Sequence, residues 1–140
     1  MRKQRRIMIG VVASMLGWFS GTYALDIQEG QYEITFTSEM KGMPMSMPAT
    51  TAKQCITQKD PVPSQSAAGQ DCRITDMKTE GNTVTWAMEC TQQGITMQAT
   101  GSMTFHGDRF EGETEMKMGP QAGNMVLITR MEGERIGECP

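Results

Sequence analysis

The chain has 140 residues, a formal net charge of −3, and an unusual load of 15 methionines beside 4 cysteines. One domain fits this length. An acidic balance with no basic stripe argues against nucleic acid and against an anionic membrane surface as partners.

The first element is an address. Arg2, Lys3, Arg5 and Arg6 precede an apolar run from Ile7 to Phe19, which closes on Ser20-Gly21-Thr22-Tyr23-Ala24. A basic start, a short apolar run and small closing residues predict a cleavable secretory signal over residues 1–24, with cleavage after Ala24. The competing expectation is an uncleaved anchor, but the run falls short of the roughly 20 residues that span a bilayer. The expected mature domain, 25–140, holds 9 basic and 16 acidic side chains, a net −7. It is expected to be periplasmic or secreted, with no membrane span after cleavage.

Beyond residue 25 the pattern has a period of two. In Gly30–Thr37 the even positions are apolar and the odd ones polar. A second strand is expected near 50–57 and a third near 71–79. Val84, Trp86, Met88 and Cys90 then share a face. Ile95, Met97, Ala99, Gly101, Met103 and Phe105 form the next apolar face, and Phe110, Gly112, Thr114, Met116 and Met118 the one after. A last strand runs from Met125 to about Ile136. This alternation marks half-buried antiparallel strands. The expected fold is all-β, a meander of about seven strands that forms an open barrel or a sandwich.

Parity constrains the hairpins. A two-residue loop at Gly107-Asp108 sets Phe105 across from Phe110 and Met103 across from Gly112, all inward. At Gly81-Asn82 a two-residue loop would put Cys72 and Cys90 on opposite faces. A three-residue loop, Glu80-Gly81-Asn82, sets them across from each other. The expectation is therefore that loop, a Cys72–Cys90 bridge and, by subtraction, Cys55–Cys139. Four cysteines in an exported chain, with no Cys-x-x-Cys, read as two bridges rather than a zinc or redox motif. Residues 58–70 form a polar, proline-bearing loop, and 40–48 join the first strand to the second.

Several of these residues together resemble a known family. Gly30-Gln31-Tyr32 opens the domain, and Cys55-Ile56-Thr57 follows the methionine–proline stretch. Cys72 leads to Gly81-Asn82-Thr83-Val84-Thr85-Trp86 and Cys90. Gly107-Asp108, Phe110 and Gly112 mark the next hairpin, and Gly133-Glu134-Arg135-Ile136-Gly137-Glu138-Cys139 closes the chain. The set resembles the bacterial exported family called domain of unknown function 3617. The resemblance implies an exported, four-cysteine β domain and carries over no catalytic residues.

The methionines are the chemical anomaly. Met88, Met97, Met103, Met116 and Met118 fall at inward positions and are expected to fill the core. Met40, Met43, Met45 and Met47 crowd a loop where no buried face is apparent. In an extended chain 43, 45 and 47 point one way. Thioethers are soft neutral ligands that favour Cu(I) or Ag(I). The loop therefore reads in three ways: a soft-metal site, a hydrophobic flap over one barrel end, or a sink for oxidants. Tyr32, Phe36 and Trp86 would line an apolar pocket if the sheet curls around one. His106, the sole histidine, sits at a turn without a visible catalytic partner, and Glu111, Glu113 and Glu115 lie on a wet face. No phosphate loop or nucleophile elbow is present. The chain is expected to be a non-catalytic binding or structural module of the cell envelope, without a cofactor unless the methionine loop binds Cu(I). Its partner would be a ligand or another envelope protein.

Overall fold

The computed structural model describes residues 25–63 and 71–140. The expected signal segment, 1–24, lies outside the described residues, as does part of the 58–70 loop. Seven antiparallel strands follow in chain order. They are β1 (Gly30–Met40), β2 (Thr50–Ile56), β3 (Asp71–Glu80), β4 (Thr83–Gln92), β5 (Ile95–His106), β6 (Arg109–Lys117) and β7 (Val126–Gly137). One 3-10 turn, Pro120–Ala122, sits between β6 and β7.

All seven strands form one sheet, in the order β2-β1-β7-β6-β5-β4-β3. The sheet curls into a half-barrel, so the barrel form of the expected fold is the one found. Strands β3 to β7 run as successive hairpins. Strand β1 then pairs with β7, setting Phe36 beside Met131 and Met40 beside Leu127. The β2–β3 connection carries the chain from one edge of the sheet to the other.

The apolar parity of the sequence becomes the inner face. Its closed end holds the core: Leu25, Tyr32, Ile34, Ile56, Val62, Val84, Trp86, Met103, Phe105, Phe110 and Met131. Phe110 packs between Tyr32 and Phe105, tilted against the first and edge-on to the second, with ring centroids 5.5 and 5.7 Å away. Gly133 makes room for it, since a Cβ there would land inside the Phe110 ring. The segment before β1 plugs this end. Gln28 donates its N–H to the Gly107 carbonyl at 2.8 Å, and Gly107 donates to the Asp26 carbonyl at 2.9 Å. The Gln58 side-chain amide reaches the Leu25 carbonyl at 2.8 Å. Pro61, Val62 and Pro63 are buried behind it. The polar loop expected from 58 onward thus begins as part of the plug.

Both disulfides pair as expected, Cys72–Cys90 and Cys55–Cys139. The turn that was to explain the first one differs. Glu80 pairs with Thr83, so the loop is the two-residue Gly81-Asn82. The odd residue that parity requires lies within β3: Ile74 faces Met88 and Asp76 faces Ala87, which leaves Thr75 as a bulge. A bulge shifts register by one, as a longer turn does, and it also twists an edge strand away from pairing. Two disulfides suit an oxidising compartment.

Candidate functional site

The register arranges the inner face in transverse rows, two residues apart along each strand. The first row, Val84–Met103–Gly112–Met131–Phe36, borders the closed end. Val84, Met103 and Met131 in it are fully buried. The second row, Trp86–Gly101–Thr114–Thr129–Ser38, is polar in four of its five positions by side-chain N–H or hydroxyl. The third is Met88–Ala99–Met116–Leu127–Met40. Beyond it lie Cys90 beside Met97, and Met118, whose N–H reaches the Met125 carbonyl at 2.9 Å.

Burial falls along this series. In the third row Ala99 is buried, while Met88, Met116, Leu127 and Met40 are only half-buried. Met97, Met118 and Met125 beyond them are half-buried too. Ile74, paired with Met88 on the β3 edge, is 44% exposed. The inner face is therefore sealed at one end and an open, methionine-lined trough at the other. Of the five methionines expected in the core, Met103 alone is buried. The other four face inward but line the open end, because the plug covers only the far end of the half-barrel.

The methionine loop extends the same trough. Glu39 and Ser46 form an isolated antiparallel bridge, and Met47 donates its N–H to the Ser38 carbonyl at 2.9 Å. Glu39 points to the convex face, where it meets Arg130 at 3.0 Å. Its bridge partner Ser46 shares that face, so Met45 and Met47 take the inner side, alongside Met40 and Ser38. Met43 instead sits in the turn, its N–H on the Met40 carbonyl at 3.1 Å. Met43, Met45 and Met47 are 51%, 72% and 43% exposed.

The expected pocket residues separate. Tyr32 belongs to the closed end, with its hydroxyl 2.7 Å from the Gln28 carbonyl, and burial pushes its phenol above the usual range. Phe36 is half-buried beside Met131, and Trp86 stands at the boundary between closed and open ends. Of the polar members of that boundary row, sequence reasoning places Trp86 and Thr114 inward but passes over Thr129 and Ser38, and the polar character of the row with them. A threonine at an inward position, Thr114 among Phe110, Gly112, Met116 and Met118, was the available signal.

The convex face is charged. Arg130 also meets Glu113 at 3.2 Å, and Arg109 meets Glu134 at 3.2 Å. His106 Nε2 is exposed and lies 3.7 Å from Glu111. A shallow groove of about 510 Å³ there is lined by Glu33, His106, Arg109, Glu111 and Glu132 among others. Exposed pairs of this kind contribute little to stability. Among the described residues, no three His, Cys, Asp or Glu side chains form a metal-binding group. No helix among them is long and apolar enough to cross a membrane.

The family described as "Protein of unknown function (DUF3617)" matches the chain over residues 27–139. Comparison with curated proteins and with solved structures finds no match.

Proposed function

Since the chain belongs to the DUF3617 family, whose description assigns no activity, we propose from the geometry that it is a non-catalytic carrier or sensor of an apolar ligand in the cell envelope, periplasmic or secreted. The observation that carries this is the third row of the inner face. Five neighbouring strands meet in it: β5 gives the buried Ala99, and β4, β6, β7 and β1 each offer a half-buried Met or Leu. A contiguous apolar surface of this kind calls for a cover. Methionine suits one that accepts ligands of varied shape, because its side chain is unbranched and polarisable. The signal-like sequence of residues 1–24 and the two disulfides support the envelope address.

The test is fluorescence titration with the neutral apolar probe N-phenyl-1-naphthylamine. The expected result is saturable binding that Leu127→Lys weakens by about tenfold or more, as a charge enters the trough. The half-buried position should leave the melting midpoint within a few degrees of wild type. Absence of saturable binding, or binding indifferent to Leu127→Lys, sinks the proposal.

A second reading keeps a specific observation in its favour. The Glu39–Ser46 bridge gathers the thioethers of Met40, Met45 and Met47 on one side of the β1 edge, a soft donor set suited to Cu(I). Met43 is a weaker candidate for that set because it lies in the turn. An anaerobic competition titration with bicinchoninate should show one equivalent of Cu(I) retained by wild type and lost on changing Met40, Met45 and Met47 to Ile. If wild type retains none, the metal reading is discarded.

A further inference from the structure

The second row of the inner face carries a chemical feature that apolar binding does not use. Trp86 and Thr114 are each 3% exposed. Yet Trp86 Nε1 and Thr114 Oγ1 have no hydrogen-bond partner among the described residues. A buried polar group left unpaired costs about 1–3 kcal/mol, so such groups are rare in stable folds. Here two of them flank a single residue of the same row, Gly101.

That residue is a glycine for a steric reason. A Cβ at Gly101 would overlap the six-membered ring of the Trp86 indole, at Cζ2 and Cε2. The indole therefore lies over Gly101, between the strands that carry Trp86 and Thr114. The rest of the row is already satisfied: Thr129 Oγ1 and Ser38 Oγ are 2.9 Å apart. The unpaired half, a donor-only N–H and a hydroxyl, sits at the inner limit of the methionine trough. From there to the mouth, Trp86 to Cys90, is four residues of β4, about 13 Å at strand rise.

We infer that the ligand is a single-chain amphiphile whose head carries a hydrogen-bond acceptor, a carboxylate or an acyl carbonyl. Trp86 Nε1–H and the Thr114 hydroxyl hold the acceptor. The tail runs outward over Met88, Met116, Leu127 and Met97. This rests on the apolar-binding reading above and adds the chemistry of the head and the direction in which it enters.

The experiment is calorimetric titration of the purified exported protein with decanoate and with decyltrimethylammonium, below their micellar concentrations. The tails match, and the ammonium head neither accepts nor donates a hydrogen bond. Trp86→Phe removes the donor and keeps a ring, while Thr114→Val removes the hydroxyl at constant shape. Each variant should weaken decanoate by about three- to tenfold, the loss of one net hydrogen bond, and leave decyltrimethylammonium within about twofold. Wild type should prefer decanoate even though its net charge repels it. Both substitutions delete a buried unpaired atom, so their melting midpoints should hold or rise.

Equal loss for both probes, or a large fall in midpoint alongside the loss, makes the row structural and overturns the inference. Unchanged decanoate binding in both variants overturns it as well, leaving apolar binding intact. Failure of wild type to bind either probe removes the apolar reading itself. A free acid and a lipid acyl chain share this chemistry, and decanoyl lysophosphatidylcholine separates them. Displacement of decanoate assigns a lipid source, and its absence assigns the free acid, both within the proposal.

Discussion

Gly133 and Phe110 are fully legible only together. The glycine looks like a weak point in β7, where lost chain entropy and a missing side chain both count against it. Its reason is the ring across the ladder, which occupies the space a Cβ would take. Phe110 cannot retreat, because Tyr32 and Phe105 flank it in the closed core. Gly133→Ala should therefore destabilise by about 1–3 kcal/mol, the usual cost of overpacking. Gly119→Ala, at a position open to solvent with φ −67°, should stay within about 0.5 kcal/mol. Urea denaturation of the two variants beside wild type reads the difference directly in the midpoint. If Gly133→Ala melts with wild type, the ring has somewhere else to go and the packing described for the closed end is wrong.

At the level of elements, the β3–β4 hairpin shows what a period of two reveals and what it conceals. Alternation marks both strands, and parity demands one odd residue between Cys72 and Cys90. Nothing in parity says where that residue sits. A turn of three residues and a turn of two with a bulge satisfy it equally, and the two apolar residues between Arg73 and Glu80, Ile74 and Met77, are three apart and form no period-two face to choose between them. The fold places the extra residue at Thr75, on an edge strand exposed along almost its whole length. Deleting Thr75 should join the two registers smoothly, keep Ile74 across from Met88, and retain the Cys72–Cys90 bridge. It should also leave a regular free edge. The expected phenotype is an intact disulfide by mass spectrometry with concentration-dependent self-association by light scattering. A monomeric deletion variant would show that the bulge does not guard the edge. The inner-face rows were only half legible for a similar reason. Strand parity places Met88, Met97 and Met116 inward, but which end of the half-barrel is plugged depends on Leu25, Pro61, Val62 and Pro63. These come from segments with no period at all.

For the whole molecule, the sheet order joins local pairing with one very long connection. Strands β3 to β7 can assemble from neighbouring hairpins, whereas β1 must find β7, and β2 rests on β1 alone. The disulfides divide the same way: 18 residues separate Cys72 from Cys90, and 84 separate Cys55 from Cys139. Closing the longer loop costs more entropy and waits on a contact that local pairing does not supply. Refolding from the reduced state should accordingly trap a species with Cys72–Cys90 formed and Cys55 and Cys139 free, visible by alkylation and peptide mapping. Simultaneous formation of both bridges would mean that β1 docks as early as the hairpins do.

The pairing of β1 with β7 also bears on how the chain is delivered. A polypeptide that emerges from a pore amino-terminus first presents β1 and β2 while their only long-range partner is still inside. Cys55 meets Cys72 and Cys90 before Cys139 has left. In a chain delivered in that order, Cys72 and Cys90 can pair at once, while Cys55 and the first hairpin wait for Cys139 and β7. Any mispairing of Cys55 in that interval would have to be undone before Cys139 could close the longer loop.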